Sequence, residues 1–286
     1  FRYLVNTHPH EDHLGSLDAV VLAYPVEQAY LSPREHTTKS YENLLGALEE
    51  KNVPTSVPSP GDSFALGGAQ ITVLSPDPDA DYDEINDWSL VLLAEYGDVR
   101  YLLMGDAETP VETDLLESGA DLSADVLKVG HHGSSTSSKR DFLQAVSPDY
   151  AVITCDYTES AGAPHDEVAA RLEELEIPVL RTDLSGVLTL HTDGRDVSVE
   201  TERQAAGQKQ EGLVKSRGTE EKRSTGFCSA MRDFDGLSVR KFGKSIGKHG
   251  HCVKFVDDIV KNGLKKSSKS NTISYIKIRI MEGYPS

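Results

Sequence analysis

The stretch THPHEDHLG, residues 7–15, decides how this 286-residue chain is interpreted. It follows a short apolar segment whose pattern predicts a buried strand, and it opens a segment with helical periodicity. After such a strand, a turn can direct His8 and His10 to one point and Asp12 and His13 to a second point nearby. This arrangement predicts two cations about 3.5–4 Å apart that share a bridging ligand and take further donors from elsewhere in the chain.

Further candidate ligands stand where two later apolar strands are predicted to end. Asp106 follows Leu-Leu-Met-Gly, and His131 and His132 follow Val-Leu-Lys-Val-Gly. A carboxylate can bridge two metal ions, and neutral imidazole suits zinc or manganese. Taken singly, a lone histidine is more often a solvated or core residue, and a Gly-Asp pair is more often a turn. Together with residues 7–15, however, these strand ends favour a dinuclear metal site.

Periodicity predicts alternating strands and helices over residues 1–203. One helix is expected over Thr38–Glu50, with an apolar face formed by Tyr41, Leu44, Leu45 and Leu48. The expected strands are 3–6, 27–31, 70–74, 89–95, 100–104, 125–129, 150–155, 179–180, 186–191 and 197–201. The other expected helices are 14–23, 110–117, 139–146 and 166–175. Because strands outnumber regular strand–helix–strand units, we expect two sheets packed face to face with helices outside them.

Charge divides the chain into an acidic body and a basic end. Residues 1–203 hold 12 basic and 38 acidic side chains, a formal charge of −26, whereas residues 204–286 hold 17 and 8, a charge of +9. The polar run from 204 to 224 is nearly without large apolar side chains and is typical of a linker. We therefore predict a domain over 1–203, a linker over 204–224, and a basic segment of unknown role over 225–286 that includes a strand at Ile273–Ile280.

Composition excludes two classes of protein. The longest apolar runs are far shorter than the roughly 20 residues of a membrane-spanning helix, so no transmembrane segment is expected in this chain. Three widely spaced cysteines cannot form a disulfide framework. Since Phe1–Val5 already has the pattern of a buried strand and no initiating methionine precedes it, we expect the chain to begin inside a domain.

Five blocks of sequence resemble those of the metallo-β-lactamase-fold hydrolases, and within them the ComEC-like group, the hydrolase domain of competence proteins and its free-standing relatives. Over residues 1–201 the blocks are HPHEDH at 8–13, NDWS at 86–89, LMGDA at 103–107, LKVGHHGS at 127–134 with Ser137, and RTDLSG at 181–186. The resemblance implies an α+β fold, a four-layer αββα sandwich with metals at the sheet edges. It also implies that a first pair of strands is missing before Phe1. A poorly defined basic tail is expected to follow the fold.

The resemblance further implies two divalent metal ions, with Zn²⁺ expected and Mn²⁺ as the alternative. His8 and His10 would hold the first ion, and Asp106 would bridge the two. Many members of the superfamily add a third histidine to the first ion. This chain has Asn86 near that place, as ComEC-like members tend to, so the first ion would bind weakly or take a water.

The second ion would be held by Asp12, His13 and His132, again by resemblance. His131 would then face the substrate. Sequence alone leaves open which of the two adjacent histidines binds metal, because neighbours at a strand end point in different directions.

Our first hypothesis for function is a metal-dependent phosphodiesterase or nuclease that uses a metal-activated hydroxide. The substrate would be DNA or another nucleic acid, because the ComEC-like group is associated with degrading one strand during DNA uptake. Asp12, Asp106 and His131 are expected to carry catalysis, with His131 or a water protonating the leaving oxygen. The expected substrate-binding residues are Ser134, Ser137, His165 and Asn86.

Some of these substrate-binding assignments have structural alternatives. The Ser/Thr-rich run at 134–137 is equally typical of a helix entrance, and His165 can simply precede the helix expected from Asp166. The family often shows Gly-His-Pro-His where this chain has GAPH at 162–165, so one histidine is lost here.

Two other functions stay open: a hydrolase of another ester, such as a phosphocholine ester or a lactone, and a truncated, inactive metal-binding remnant fused to a basic tail. The −26 body argues against a broad phosphate-binding surface, which needs a basic patch, although the +9 end could supply one. The resemblance favours an extracellular or membrane-associated location with a membrane part upstream, and a cytoplasmic location is the alternative.

Overall fold

Four layers of secondary structure make up the part of the chain that the computed structural model describes, which is residues 1–155 and 163–203 together with the backbone of three short strands. The strands are β1 (Tyr3–Asn6), β2 (Gln28–Leu31), β3 (Thr55–Ser56), β4 (Ser63–Leu66), β5 (Ala69–Ser75), β6 (Val91–Tyr96), β7 (Val99–Leu103), β8 (Val126–Lys128), β9 (Tyr150–Ile153), β10 (Val179–Arg181), β11 (Leu188–Thr192), β12 (Val197–Thr201), β13 (Val214–Lys215), β14 (Lys254–Phe255) and β15 (Ile276–Ile280). The α-helices are α1 (Glu11–Leu14), α2 (Leu17–Ala23), α3 (Lys39–Glu50), α4 (Thr109–Glu117), α5 (Arg140–Val146), α6 (Asp166–Glu174) and α7 (Thr182–Ser185). Short 3₁₀ helices cover Ile85–Trp88 and Gly130–Gly133.

The larger sheet has seven strands in the order β10-β9-β8-β7-β6-β5-β4. Strands β4 to β7 pair antiparallel, whereas β7 to β10 pair parallel and are connected by α4, α5 and α6. Along β7, Val99, Tyr101 and Leu103 face one core while Leu102 faces the other. Because both faces of this sheet are covered, its central strands are apolar at successive positions instead of alternating with polar residues.

Two smaller sheets form the facing layer. Strands β1, β2 and β3 pair parallel in that order, and β11 forms an antiparallel hairpin with β12. Tyr3 and Val5 of the first sheet and Leu188 and Leu190 of the second pack in the same core as the inner face of the larger sheet. The predicted face-to-face packing of sheets is confirmed.

Helices cover both outer faces of the sandwich. Phe142 of α5 and Leu172 of α6 pack in the core on the outer face of the larger sheet. Helix α3 buries Tyr41 and Leu44 in a third core shared with α2, β1 and β2. The predicted apolar face of α3 is wrong at Leu45, whose side chain is 39% exposed. The layers therefore run helix, sheet, sheet, helix, which confirms the predicted four-layer αββα fold.

Several short elements differ from the sequence prediction. The helix expected over 14–23 is two helices, α1 and α2, because Ser16 leaves the helical region with φ −142° and ψ 7°. Strands β3 and β4 and helix α7 were not predicted, since two to four residues carry too little periodicity to be recognised.

In the basic end of the chain, β15 falls within the strand predicted at 273–280. It pairs parallel with β11 on one side and with β14 on the other. Apart from the strands β13, β14 and β15, the predicted linker and the basic segment lie outside the described residues. Within the described part of the chain, no helix has the length and apolarity needed to cross a membrane.

Candidate metal centre

Four side chains converge where the loops after β1, β7 and β8 meet. One ligand atom from each of Asp12, His13, Asp106 and His132 lies within 4.8 Å of all the others. Asp106 Oδ2 is 3.0 Å from His13 Nε2 and 3.3 Å from His132 Nε2, and Asp12 Oδ2 is 3.5 and 3.3 Å from the same two nitrogens. Ligands about 2.0–2.2 Å from a zinc ion stand at similar separations from one another, so these atoms fit a shared metal ion.

His8 and His10 stand beside this four-residue cluster. His8 Nε2 is 3.1 Å from His10 Nδ1 and 3.8 Å from Asp106 Oδ2, which places Asp106 between the two sets of histidines. Asp106 Oδ1 is buried and has no hydrogen-bond partner among the described residues. An imidazole and carboxylate donor set with a spare buried oxygen fits divalent transition metals. All six side chains predicted as ligands are thus brought together.

A tight turn separates His131 from His132. Both residues adopt the left-handed backbone region, with φ of 44° and 55°. Gly130 begins the turn against the neighbouring loop, where a Cβ would lie 2.4 Å from the Ala107 carbonyl oxygen. The turn brings His132 Nε2 into the four-residue cluster, while its Nδ1 lies 2.7 Å from the carbonyl oxygen of Thr154, to which an N–H there donates. Such a second contact fixes the orientation of a ligating imidazole.

His131 lies outside the cluster and pairs with Glu108. His131 Nδ1 is 2.6 Å from Glu108 Oε1, and the side-chain amide of Asn86 donates to the same oxygen at 3.2 Å. Of the two adjacent histidines, the structure therefore places His132 in the cluster and His131 at its side. Glu108 is a residue that sequence reasoning missed. Its signal is its position two residues after Asp106, in the loop that leaves the same strand.

Two hydroxyl groups support the histidines from the side away from the cluster. Ser89 Oγ accepts the backbone N–H of Asp106 at 3.1 Å and lies 3.2 Å from His8 Nδ1. Thr7 Oγ1 lies 3.2 Å from His8 Nδ1 and 3.4 Å from His13 Nδ1. With both Nδ1 atoms engaged in this way, the Nε2 atoms are directed toward the carboxylates.

A buried lysine joins the two strand ends that carry the ligands. Lys128, at the end of β8, is 1% exposed. Its ammonium donates to the carbonyl oxygens of Gly105 at 3.0 Å and Val129 at 2.6 Å. Burial lowers the pKa of Lys128, against the opposite pull of Asp106 and Asp12. The contacts tie the loop of Asp106 to the loop of His132, and nothing in the sequence pattern had indicated this role.

Burial and opposite charge compete at His8, His132 and Asp106. Burial lowers the pKa of His8 well below its ordinary value, so this imidazole is neutral. Burial also acts to lower the pKa of His132, but the Asp106 carboxylate raises it to about 9. Burial acts to raise the pKa of Asp106, yet His13 and His132 hold it well below its ordinary value. The carboxylates are therefore charged, and metal binding here would release protons from His13 and His132, whose pKa values are raised.

One predicted substrate-binding residue has a different role. Ser137 is completely buried, and its hydroxyl donates to the carbonyl oxygen of Gly130 at 2.8 Å and contacts that of Ser134 at 3.1 Å. It therefore holds the histidine turn from behind and cannot face a substrate, which corrects the prediction.

The other three predicted substrate-binding residues lie around His131 and the loop that follows it. Asn86 reaches Glu108 and is 3.4 Å from His131 Nδ1. Ser134 Oγ is 2.9 Å from Thr136 Oγ1. His165 directly precedes α6, the structural alternative considered above, and its Nδ1 accepts the backbone N–H of Ser135 at 3.0 Å. Contact of these three with a substrate stays a prediction.

Comparison with known proteins agrees with this architecture. The model of the metallo-beta-lactamase superfamily matches residues 1–155. The chain is 32% identical over 185 residues to ComE operon protein 3 of Bacillus subtilis (strain 168), 40% identical over 186 residues to competence protein ComA of Neisseria gonorrhoeae, and 30% identical over 183 residues to recombination protein 2 of Haemophilus influenzae. These matches cover 65%, 65% and 64% of this chain and 24%, 24% and 21% of the relatives, so the chain spans less than a quarter of their length.

The family match, the αββα layers and the histidine and aspartate cluster at the sheet edge agree with one another. The first extends over more than half of the chain. Among the relatives reported above, the chain is similar to competence proteins. The chain belongs to the metallo-beta-lactamase superfamily, in which it resembles the ComEC-like competence proteins.

Proposed function

We propose that this chain is a metal-dependent phosphodiesterase that hydrolyses nucleic acid. The observation that carries the proposal is the convergence of Asp12, His13, Asp106 and His132, with His8 and His10 beside them. The relatives named as competence and recombination proteins support DNA as the substrate, because both words denote processes that act on DNA.

We expect the donor set to hold two divalent ions. Asp12, His13, Asp106 and His132 would hold one, and His8 and His10 with Asp106 would hold the other. Imidazole and carboxylate ligands make Zn²⁺ the first candidate and Mn²⁺ the second. Such ions, when bound, would activate a water molecule and stabilise negative charge on phosphoryl oxygens.

The protein's own contribution to proton transfer is the pair of His131 and Glu108. Burial acts to raise the pKa of Glu108, but the hydrogen bond from His131 lowers it, so the carboxylate stays charged and orients the ring. The His131 side chain is 31% exposed, so a bound ester can reach the ring. In this position the imidazole can give a proton to the leaving oxygen as the phosphorus–oxygen bond breaks.

The test of metal dependence combines metal analysis with hydrolysis. Purified protein should contain two divalent ions per chain and should hydrolyse bis-p-nitrophenyl phosphate and a single-stranded oligonucleotide. Asp106→Asn should lower both the metal content and both activities, the latter by at least about 100-fold, because the ligand shared by the two sets of histidines is lost. His191→Ala is the matched control. His191 pairs with Glu200 on the β11–β12 hairpin and should change neither quantity.

Two results would contradict the proposal. A folded protein that binds no metal and hydrolyses neither substrate would be an inactive remnant. A metal-loaded protein that hydrolyses a phosphocholine ester or a lactone but no phosphodiester would be a hydrolase of another class.

The role of His131 can be separated from metal binding. His131→Gln should lower kcat by about 10²–10⁴-fold, and Glu108→Gln should lower it by about tenfold or more. Both variants should keep the metal content of the unaltered protein. If either variant loses metal in proportion to activity, the residue supports the metal centre and does not transfer a proton.

A further inference from the structure

Arg34 and Trp88 form a pair outside the group of metal ligands. The guanidinium carbon of Arg34 lies 5.8 Å from the centre of the Trp88 ring, within the range of a cation–π contact. Arg34 is exposed, and Trp88 is half-buried. Neither residue takes part in the hydrolysis proposed above.

The pair lies at the rim of the candidate metal centre. The loop before α3, which carries Arg34, brings the ring of His36 to 6.5 Å from the ring of His10. The residue after Trp88 is Ser89, whose hydroxyl supports a ligand histidine. Both segments of the pair therefore continue directly into the surroundings of the metal ligands.

Hydrogen bonds hold the pair in a fixed arrangement. The buried hydroxyl of Ser32 accepts the backbone N–H of Arg34 at 3.1 Å and donates to the carbonyl oxygen of Trp88 at 2.8 Å. The indole N–H of Trp88 donates to the carbonyl oxygen of Tyr82 at 3.1 Å, and the two rings meet edge to face. A ligand that binds this surface does not have to order it first, which favours affinity.

The charge of Arg34 is available to a ligand. Among the described residues Arg34 has no carboxylate partner, although the body of residues 1–203 is strongly acidic. Other arginines of this body are held by carboxylates, namely Arg100, Arg140 and Arg181. An accessible guanidinium beside the metal centre is therefore a local site for a phosphate on an otherwise repulsive surface.

We infer that the Arg34–Trp88 pair binds one nucleotide of a single-stranded nucleic acid next to the phosphodiester that is cleaved. The edge of the guanidinium can donate two hydrogen bonds to a phosphate, while its plane, backed by the indole, offers a stacking surface to a base. A single strand is required because the bases of a duplex are already stacked on each other. This inference rests on the proposed function and names the part of the substrate that the rim recognises.

Trp88 gives a direct test because it is the only tryptophan in the chain. We would titrate the purified metal-loaded protein with phosphorothioate-linked oligothymidylate, which resists hydrolysis, and follow tryptophan fluorescence. Stacking of a base on the pair should quench Trp88 in a saturable manner. An abasic oligomer with the same number of phosphates should bind more weakly and leave the emission nearly unchanged.

Variants of Arg34 separate charge from stacking. Arg34→Ala should weaken oligonucleotide binding about tenfold. It should also reduce the slope of log affinity against log salt by about 0.7, the value for one phosphate contact on a single strand. Arg34→Lys should restore the slope but not the full affinity, since an ammonium has no plane on which a base can stack.

Arg195→Ala is the control for the loss of one exposed positive charge. Arg195 lies in the β11–β12 turn, where Gly194 accepts a hydrogen bond from Asp98 at the start of β7. The metal ligand Asp106 follows the other end of that strand, so Arg195 is at the opposite edge of the sandwich. Its removal should leave affinity and salt slope as in the unaltered protein.

Several outcomes would overturn the inference. In the titration, these are the absence of oligonucleotide binding, binding without a change in Trp88 emission, and equal quenching by the abasic oligomer. Among the variants, it is an Arg34→Ala protein that binds the oligonucleotide as tightly as Arg195→Ala does. Hydrolysis of bis-p-nitrophenyl phosphate by the unaltered protein is measured in parallel. If that hydrolysis is present while one of these outcomes is observed, the inference fails and the proposed function stands, and if it is absent, the proposed function itself fails.

Discussion

Asp106 sets the charge state of the histidines around it. Its Oδ2 lies within 3.3 Å of both His13 Nε2 and His132 Nε2, and the residue is 2% exposed. In such surroundings burial alone would make both imidazoles neutral. The carboxylate reverses this effect, and it is also the group that stands between the two sets of histidines. Asp106 is therefore the stronger of the two carboxylates, with Asp12, that raise the pKa of these imidazoles, and it also connects the two sets of histidines.

This control can be measured in protein stripped of metal. Asp106→Asn should lower the pKa of His132 from about 9, because the stronger of the two carboxylates that oppose burial is lost and only Asp12 remains. Histidine ring signals followed by NMR between pH 5 and pH 10 would give both values. Asp141→Asn, an exposed substitution on α5, should leave the pKa of His132 where it is. A pKa near 9 in Asp106→Asn would show that Asp106 is not the cause.

Much of the candidate ligand set can be predicted from the sequence, whereas the residues that surround it cannot. His8, His10 and Asp12 stand close together after one strand, so their spacing carries the signal. Glu108 reaches His131 through a turn with two left-handed residues, and no local pattern indicates such a turn at non-glycine positions. The prediction that Ser137 binds substrate is wrong for a related reason, because packing in the folded protein decides whether a hydroxyl group is buried.

At the scale of elements, a buried carboxylate connects α4 to α5. Glu112, on α4, accepts the backbone N–H groups of Ser138 and Lys139 at the start of α5. Arg171 of α6 donates to the carbonyl oxygens of Ser137 and Ser138. Three helices on the outer face of the larger sheet are thereby joined behind the loop that carries the histidine turn.

Glu112 makes the stability of this junction depend on pH. Burial raises the pKa of Glu112 from 4.5 to about 7, against the hydrogen bonds from Lys139 and Ser138. A raised pKa contributes stability that is fully present below pH 4.5 and is lost as pH rises through about 7. At 1.36 kcal/mol per pKa unit the loss is roughly 3 kcal/mol.

Glu112→Gln should therefore flatten the dependence of unfolding free energy on pH between 4.5 and 7. Relative to the unaltered protein, the variant should gain stability as pH rises across this interval, because the amide never ionises. Urea unfolding at several pH values measures the difference directly. Glu117→Gln, an exposed change on the same helix, should follow the unaltered protein at every pH. A constant offset for Glu112→Gln would mean that the carboxyl titrates normally.

The long elements are predictable and the short ones are not. Helix α3 and the hairpin of β6 and β7 extend over enough residues for periodicity and a Gly-Asp turn to identify them. Strand β3 has only two residues, both exposed, and is created by pairing with β2. Leu45 of α3 shows that periodicity alone does not determine burial within a helix. Whether an apolar side chain is buried depends on the elements that pack against it.

At the scale of the whole molecule, the described sandwich is an acidic body. Residues 1–203 carry a formal charge of −26, and only four of their side chains are lysines. Repulsion among these charges opposes the compact state, while it keeps the protein soluble. Because much of this charge is on the surface, dissolved salt should screen it with a Debye length that falls from about 10 Å at 0.1 M to about 3 Å at 1 M.

Thermal stability should therefore rise with KCl concentration at pH 7.5, by about 2–4 °C in Tm for each kcal/mol of repulsion removed. The rise should be smaller at pH 5.0, near the isoelectric point of about 5.0 for the whole chain, because charged histidines and partly protonated carboxyl groups reduce the net negative charge that salt can screen. Calorimetry in a chelating buffer at both pH values keeps metal binding out of the comparison. Equal increases of Tm at the two pH values would assign the effect to the action of salt on apolar surface instead of to charge.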